Sequence, residues 1–74
     1  MKTIDQLISK AFKIEEEQLS DNLTSDDILY WDSLAHFHLV ASVEETYQIT
    51  IEIEDIFNME TIGDIRSIIE KKKY

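Results

Sequence analysis

The sequence contains no cysteine and no proline, and Gly63 is its only glycine. Without cysteine the chain can form neither a disulfide framework nor a thiolate metal site. Scarce glycine and proline argue against a turn-rich β protein and favour helices joined by polar loops. No apolar run approaches the ~20 residues of a membrane-spanning helix, and residues 1–6 lack the apolar stretch of a signal peptide. We therefore expect a cytoplasmic protein that does not bind membranes.

Basic residues are absent between Lys13 and Arg66, the stretch that holds every acid except Asp5 and Glu70. The formal net charge of the chain is −9 and its pI is near 4.4. Such a surface repels phosphate backbones, so the sequence excludes nucleic-acid binding as a function class. Long-range attraction favours a basic protein partner instead.

The 74 residues allow one domain, spanning residues 1–74, and we expect a monomer. Apolar residues make up 43% of the chain and charged residues 31%, a composition typical of a small globule rather than a disordered tail. A chain of this size buries only ~60% of the surface that its unfolded form exposes, so its core must be compact.

Three stretches show the period of an amphipathic helix. The first runs from Thr3, a candidate cap, to about Phe12, and the second covers residues 33–47 with Asp32 as N-cap. The last runs from Ile62 to about Lys71 and has a capping-box-like start. The residues predicted to face inward are Ile4, Leu7, Ile8, Ala11 and Phe12 in the first, Leu34, Phe37, Leu39, Val40, Ala41, Val43 and Tyr47 in the second, and Ile62, Ile65, Ile68 and Ile69 in the last.

Two segments between these helices are less regular. Residues 13–32 predict a long loop, which its apolar side chains hold across the core. Within this loop, residues 25–29 predict a short helical turn. Residues 49–54 alternate like a strand, but no second such run exists to pair with. We therefore predict an extended connector that buries Ile49 and Ile51, followed by a short helix at about residues 54–58. The expected fold is all-α: a small four-helix bundle of three main helices and one short helix, with a long loop between the first two.

Enzymatic and metal-binding interpretations find little support in the residues. Asp32, Ser33 and His36 suggest a hydrolase triad, but the chain has no glycine-rich nucleophile turn and no candidate oxyanion hole. His36 and His38 lie on nearly opposite sides of a helix, so they cannot bind one metal ion together. We expect one of them to be partly buried and the other solvated. The acidic loop lacks the central glycine and the ligand spacing of an EF-hand.

Asp32-Ser33-Leu34 opens the most regular helix, and its serine hydroxyl is expected at the positive end of the helix dipole, where an attached anion is favoured. This motif, the helix that follows it and the Thr61-Ile62-Gly63-Asp64-Ile65 segment resemble the acyl and peptidyl carrier proteins over essentially the whole chain. The Trp31-Asp32-Ser33-Leu34 form is similar to that of small discrete bacterial carriers.

The resemblance implies a carrier and not an enzyme. A phosphopantetheinyl transferase would attach 4'-phosphopantetheine covalently to Ser33, with Asp32 and Leu34 completing the cofactor-binding motif, and the terminal thiol would carry acyl or aminoacyl groups as thioesters. The implied partners are that transferase, a loading enzyme such as an adenylate-forming ligase, and an acyltransferase or ketosynthase. The resemblance also implies that a short chain folds back near Leu34, Phe37, Leu39, Ile51 and Ile62; the alternative is that Phe37 fills that space and leaves room only for small or polar cargo.

The exposed first half of the second helix differs from that of fatty-acid carriers, which usually have more carboxylates there. This chain has Ala35, His36 and His38 at those positions, and we predict a dedicated pathway carrier rather than the housekeeping one. The residues predicted to contact partners are His36, Phe37, Val40, Glu44 and Glu45. The alternative from a different class is a non-catalytic acidic helical adaptor without a prosthetic group, in which Ser33 is only a first-turn residue.

Overall fold

The structure, a computed structural model, describes residues 2–73. It contains the helices α1 (Ile4–Phe12), α2 (Ser33–Tyr47), α3 (Ile53–Phe57) and α4 (Ile62–Lys73), and one turn of 3₁₀ helix at Glu16–Gln18 in the loop between α1 and α2. Extended pairing within residues 2–73 is limited to one isolated antiparallel bridge between Thr24 and Thr61. The predicted all-α bundle of three main helices and one short helix is confirmed.

Capping boxes define where α1 and α4 begin. The Thr3 hydroxyl accepts a hydrogen bond from the Gln6 amide at 3.1 Å, and the Gln6 side chain accepts one from the Thr3 amide at 2.8 Å. Thr61 and Asp64 make the same reciprocal pair at the start of α4. Both pairs are capping boxes, which satisfy amide groups that a helix leaves without partners. The predicted starts are confirmed, and α4 continues to Lys73, two residues beyond the predicted end.

One apolar core joins the helices. The inward-facing residues predicted for α1 are confirmed, with Ala11 partly buried. In α4, Ile62, Ile65 and Ile69 are fully buried. Because these side chains recur on one face of each helix, burying that face removes most of the apolar surface from water. The buried side chains within residues 2–73 are Ile4, Leu7, Ile8, Phe12, Ile28, Trp31, Leu39, Val40, Val43, Ile51, Ile56, Met59, Ile62, Ile65 and Ile69.

The face that α2 turns inward differs from the predicted one. Leu34 is 68% exposed and Phe37 49% exposed, and Ala41 is exposed as well. Leu39, Val40 and Val43 are buried and Tyr47 is partly buried, as predicted, and the partly buried His36 lies at the same helical spacing. Apolar residues lie on several faces of α2, so periodicity alone does not select the one that packs on α1. The predicted inward positions of Leu34, Phe37 and Ala41 were therefore wrong.

The loop between α1 and α2 crosses the core as predicted, but without the short helix expected at residues 25–29. Those residues form turns, in which the Asp27 amide donates to the Thr24 carbonyl and the Trp31 amide to the Ile28 carbonyl. Ile28 is buried, whereas Leu29 is 88% exposed. The Thr24 amide donates to the Asp27 carboxylate at 2.9 Å, and this bond and the bridge from Thr24 to Thr61 satisfy the backbone in place of a helix.

The alternating segment after α2 is an extended connector and not a strand, as predicted. Ile51 is buried and Ile49 partly buried, and the Ile51 amide donates to the Glu44 carboxylate at 2.9 Å. The short helix α3 follows at Ile53–Phe57, one residue earlier than predicted. Only Ile56 of α3 is buried, so few apolar contacts hold this helix to the bundle.

Arg66 of α4 connects three parts of the chain. Its guanidinium donates to Asp5 of α1 at 2.9 and 3.1 Å and to Asp21 of the loop at 2.5 Å. The hydrogen bonds to Asp5 and then to Asp21 raise the pKa of Arg66 above its ordinary value. The contact fixes the loop over the N-terminal ends of α1 and α4.

Gly63 is required by a close approach to the same loop. Its amide donates to the Asp21 carbonyl at 2.9 Å, and a Cβ at this position would lie 3.0 Å from Asp21 Cβ and 3.1 Å from Asp21 O. Helix propensity favours alanine over glycine by about 1 kcal/mol, but overpacking against backbone costs about 1–3 kcal/mol.

We therefore expect Gly63→Ala to lower the free energy of unfolding by about 1 kcal/mol, measured by urea denaturation. Ser67→Ala, an exposed change in the same helix, is the control. A Gly63→Ala protein more stable than the wild type would show that the loop at Asp21 shifts to accommodate the Cβ without loss of stability.

Candidate functional site

Asp32 and Ser33 lie where the long loop passes into α2. Asp32 is the N-cap: its side chain accepts a hydrogen bond from the Ala35 amide at 2.9 Å, and its carbonyl accepts one from the His36 amide at 2.9 Å. The predicted cap is confirmed. Because Asp32 is extended and α2 begins immediately after it, Ser33 is the first helical residue and its side chain is exposed.

The Ser33 hydroxyl is accessible to another protein. Within residues 2–73 it makes no hydrogen bond, and no acceptor is found for the amides of Ser33 and Leu34. Free amides at a helix start and the positive end of the helix dipole favour a negative group attached at this position. The Asp32 carboxylate opposes such a group, but one of its oxygens is already bound to the Ala35 amide. The site therefore suits a phosphate ester on Ser33.

Helices α2 and α3 carry several exposed apolar side chains. Leu34 follows it directly, Phe37 lies one turn along α2, and Ile53 and Phe57 of α3 are 67% and 69% exposed. Large exposed apolar residues that cluster on one face commonly mark a contact surface. Phe37 of α2 and Phe57 of α3 line the same groove as Ser33, so exposed apolar side chains of both helices lie beside the serine.

A cavity of about 330 Å³ opens beside Ser33. It lies between the start of α2 and the end of α3 and is lined by Ser25, Trp31, Asp32, Ser33, His36, Phe37, Ile56, Phe57 and Met59. Of the residues predicted to line a cavity, only Phe37 does so. Leu34 is exposed, and Leu39, Ile51 and Ile62 are packed in the core. We refer to this cavity as the serine groove.

Trp31 and His36 form the inner wall of the serine groove. Trp31 is only 7% exposed and stacks on Phe12 with ring centroids 4.7 Å apart. Its indole N–H donates to His36 Nδ1 at 3.0 Å, and His36 Nε2 lies 3.0 Å from the Ile56 carbonyl oxygen. This connection is absent from the predictions made from the sequence. The available signal was the spacing of His36 from Leu39, Val40 and Val43, which places a polar side chain on the buried stripe of α2.

The same contacts rule out the hydrolase interpretation. Both ring nitrogens of His36 are engaged, by Trp31 and by Ile56, so the ring cannot take a proton from the Ser33 hydroxyl. His36 is partly buried and His38 is exposed, as predicted. Within residues 2–73 no three histidine, aspartate or glutamate side chains come together as a metal site.

The residues predicted to contact partners differ in how exposed they are. Phe37 and Glu45 are exposed. His36 and Glu44 are partly buried and hydrogen bonded within the chain. Val40 is 5% exposed because it belongs to the buried stripe of α2, so it presents little surface to a partner. No helix within residues 2–73 is long and apolar enough to cross a membrane.

Comparison with known proteins gives a consistent assignment. Residues 2–69 match the family model described as a phosphopantetheine attachment site. The acyl carrier protein of Thermotoga maritima is 32% identical over 69 residues, 93% of this chain and 85% of that protein. That of Exiguobacterium sibiricum is 31% identical over 67 residues, 90% of this chain and 85% of its own length.

A solved structure agrees with these relatives. The holo acyl carrier protein of Geobacter metallireducens superposes with a TM-score of 0.80 at 28% identity and covers 97% of this chain and 86% of its own. The fold, the accessible hydroxyl at the start of α2 and the sequence matches lead to one conclusion. The chain belongs to the acyl carrier protein family, non-catalytic proteins with a covalent 4'-phosphopantetheine group.

Proposed function

We propose that Ser33 is the serine that receives 4'-phosphopantetheine, and that the chain carries acyl or aminoacyl groups as thioesters on this arm. The observation that carries the proposal is the position of Ser33, which is exposed, opens α2 and borders the serine groove. Five other serines occur in the chain, at positions 9, 20, 25, 42 and 67. Each of them lies in a loop or in a helix interior, and none begins a helix.

The residues around Ser33 are suited to hold the attached group. The oxygens of the ester phosphate would accept hydrogen bonds from the free amides of Ser33 and Leu34. In the attachment reaction the Ser33 Oγ loses its proton to a base of the transferase and forms a phosphodiester bond to the pantetheine-side phosphorus of coenzyme A. The pyrophosphate bond of coenzyme A breaks, and adenosine 3',5'-bisphosphate leaves. The bound group supplies a thiol for thioester chemistry. Asp32 keeps the first turn of α2 in place and, with Leu34, presents the serine to the transferase.

As a family member the chain meets a phosphopantetheinyl transferase and acyl-handling enzymes. We propose more specifically that an adenylate-forming ligase loads it, and that an acyltransferase or ketosynthase receives the cargo. The apolar surface of Leu34, Phe37, Ile53 and Phe57 and the acid Glu45 support docking of a partner with an apolar, basic face. A cytoplasmic location and a monomeric state stay predictions from the sequence.

Intact-mass spectrometry tests the attachment. The purified apo protein is incubated with coenzyme A, Mg²⁺ and a promiscuous phosphopantetheinyl transferase, and a fatty-acid carrier serves as the positive control. We expect the mass to rise by one phosphopantetheinyl group, with fragmentation placing that group on Ser33. An unchanged mass under conditions that fully convert the control, or attachment at another serine, would refute the proposal.

If the chain serves a dedicated pathway, the general fatty-acid enzymes are expected to load it slowly. The first half of α2 presents Leu34, Phe37 and His38 and has no exposed carboxylate after its cap. Complementary charge sets the rate of encounter, so we expect a fatty-acid malonyl transferase to load the holo protein at least about tenfold more slowly than the host's own fatty-acid carrier. Equal initial rates with radiolabelled malonyl-coenzyme A would contradict the prediction.

A further inference from the structure

The amide and hydroxyl of Ser33 have no partners of their own that hold them in place. Within residues 2–73 the hydroxyl makes no hydrogen bond and the amide has no acceptor. The position of this side chain is therefore set by the segments on either side of it. On the helix side, the Asp32 carbonyl and carboxylate accept hydrogen bonds from the His36 and Ala35 amides, each at 2.9 Å. On the loop side, Trp31 is the nearest buried residue.

The Trp31 side chain connects the end of the loop to two helices. Its ring is 7% exposed and stacks on Phe12 of α1, with the ring centroids 4.7 Å apart. Its indole N–H donates to His36 Nδ1 of α2 at 3.0 Å, between residues five positions apart in the chain. Because residues 32–35 lie between the two ends of this bond, it closes a short ring of chain that contains Ser33.

The Ile56 carbonyl fixes the orientation in which the His36 ring meets Trp31. An indole N–H can only donate, so Nδ1 of His36 accepts and carries no proton. The proton of the neutral ring is then on Nε2, which donates to the Ile56 carbonyl oxygen at 3.0 Å. Turning Nδ1 away from Trp31 would break both hydrogen bonds at once. The ring therefore presents an acceptor to Trp31 in one defined position.

We propose that His36 is a positioning residue for the attachment reaction. By accepting the Trp31 hydrogen bond, it holds the junction between the loop and α2, and with it the Ser33 hydroxyl, in the position that a phosphopantetheinyl transferase binds. The ring makes no hydrogen bond with Ser33, and both of its nitrogens are engaged elsewhere, so it takes no part in the chemistry. The inference rests on the proposed attachment at Ser33.

The expected consequence of losing the bond is a change in binding rather than in chemistry. Without it, the end of the loop and the first turn of α2 sample other arrangements, and only a fraction of the molecules presents the serine in the form that the transferase binds. The apparent affinity falls by that fraction. The chemical step is unchanged in the molecules that do bind, so KM for the carrier rises and kcat does not fall.

Two substitutions of His36 separate its hydrogen bonds. Asparagine places its side-chain oxygen near the position of Nδ1, so H36N keeps an acceptor for Trp31 and loses the donor to Ile56. Glutamine places its amide nitrogen near the position of Nε2, so H36Q keeps the donor to Ile56 and loses the acceptor for Trp31. Each variant lacks one bond of the pair, so an effect of lowered stability alone would appear in both. S42A, an exposed change farther along α2, is the control.

Steady-state kinetics of the modification provide the first readout. Rates with a promiscuous phosphopantetheinyl transferase and coenzyme A are measured against carrier concentration, at a temperature at which urea denaturation shows every variant to be folded. We expect H36Q to raise KM for the carrier about fivefold, the worth of one net hydrogen bond in an equilibrium, with kcat unchanged. H36N and S42A are expected to match the wild type. An unchanged KM for H36Q, or equal rises for H36N and H36Q, would overturn the inference.

NMR spectra of the apo protein provide a readout that needs no transferase. Trp31 is the only tryptophan in the sequence, so its indole N–H gives a single resonance. We expect that resonance to move upfield in H36Q and to stay in place in H36N, and ¹⁵N relaxation to show larger motion of the Ser33 amide in H36Q alone. Ring ¹⁵N spectra of the wild type are expected to show a protonated Nε2 and a bare Nδ1 in His36. The opposite tautomer, or a Ser33 amide as ordered in H36Q as in the wild type, would contradict the proposed role.

Intact mass distinguishes this inference from the function on which it rests. If the wild type gains no arm at Ser33, the proposed function fails and the role of His36 in attachment fails with it. If the wild type is fully modified at Ser33 and H36Q is modified with the same KM, only this inference fails.

Discussion

Ser33→Ala is expected to abolish addition of the phosphopantetheinyl group completely, while the fold is retained. The hydroxyl is the only group that this substitution removes, and the side chain is exposed and makes no hydrogen bond within residues 2–73. Exposed substitutions of this kind change the free energy of unfolding by no more than about 0.5 kcal/mol. Intact-mass spectrometry measures the loss of modification, and thermal unfolding followed by circular dichroism measures stability.

Ser25→Ala is the matched control for this experiment. Ser25 is exposed and lines the same groove, but it lies in a turn of the loop rather than at the start of a helix. We expect it to be modified at the wild-type rate and to full conversion. Modification that persists in Ser33→Ala, or that is lost in Ser25→Ala, would mean that another residue carries the arm.

Trp31→Ala is expected to produce the largest loss of stability, about 3–5 kcal/mol. The indole is 7% exposed, stacks on Phe12 and donates to His36, so its removal leaves a cavity and an acceptor without its donor. Such a loss approaches the whole free energy of unfolding of a small domain, roughly 5 kcal/mol at the lower end of the usual range. Much of the protein is then expected to be unfolded at 37 °C.

Urea denaturation of three variants separates packing from hydrogen bonding at this position. Trp31→Phe keeps an aromatic ring beside Phe12 but loses the indole donor, and should cost about 1–3 kcal/mol. Leu29→Ala, at a side chain that is 88% exposed, should change stability by no more than about 0.5 kcal/mol. A Trp31→Ala protein within 1 kcal/mol of the wild type would show that the loop does not depend on this contact.

The features that could be predicted from the sequence are those set by neighbouring residues. The starts of α1, α2 and α4 follow from Thr3, Asp32 and Thr61, because a cap bonds to amides only two or three residues away. The inward face of α1 follows from one clean apolar stripe. The predicted connector after α2 is confirmed because an isolated alternating run has no partner strand.

Features that depend on distant residues could not be predicted in the same way. In α2 the apolar side chains do not define a single stripe, so the predicted buried face included the exposed Leu34 and Phe37 as well as the buried Leu39 and Val43. The hydrogen bond from His36 to Ile56 joins residues 20 apart in the chain. The turns at residues 24–27 form partly because Thr24 pairs with Thr61, far along the sequence.

The sequence by itself determined the helical class, the acidic surface and the placement of a serine at the start of a helix, because short-range capping, periodicity and composition specify each of them. Only the tertiary structure decided which side of α2 is buried, that Trp31 closes the core beneath that serine, and that His36 connects α2 to α3. The reason is that each of these depends on which elements pack together, and packing chooses among several apolar faces that the local pattern leaves equivalent.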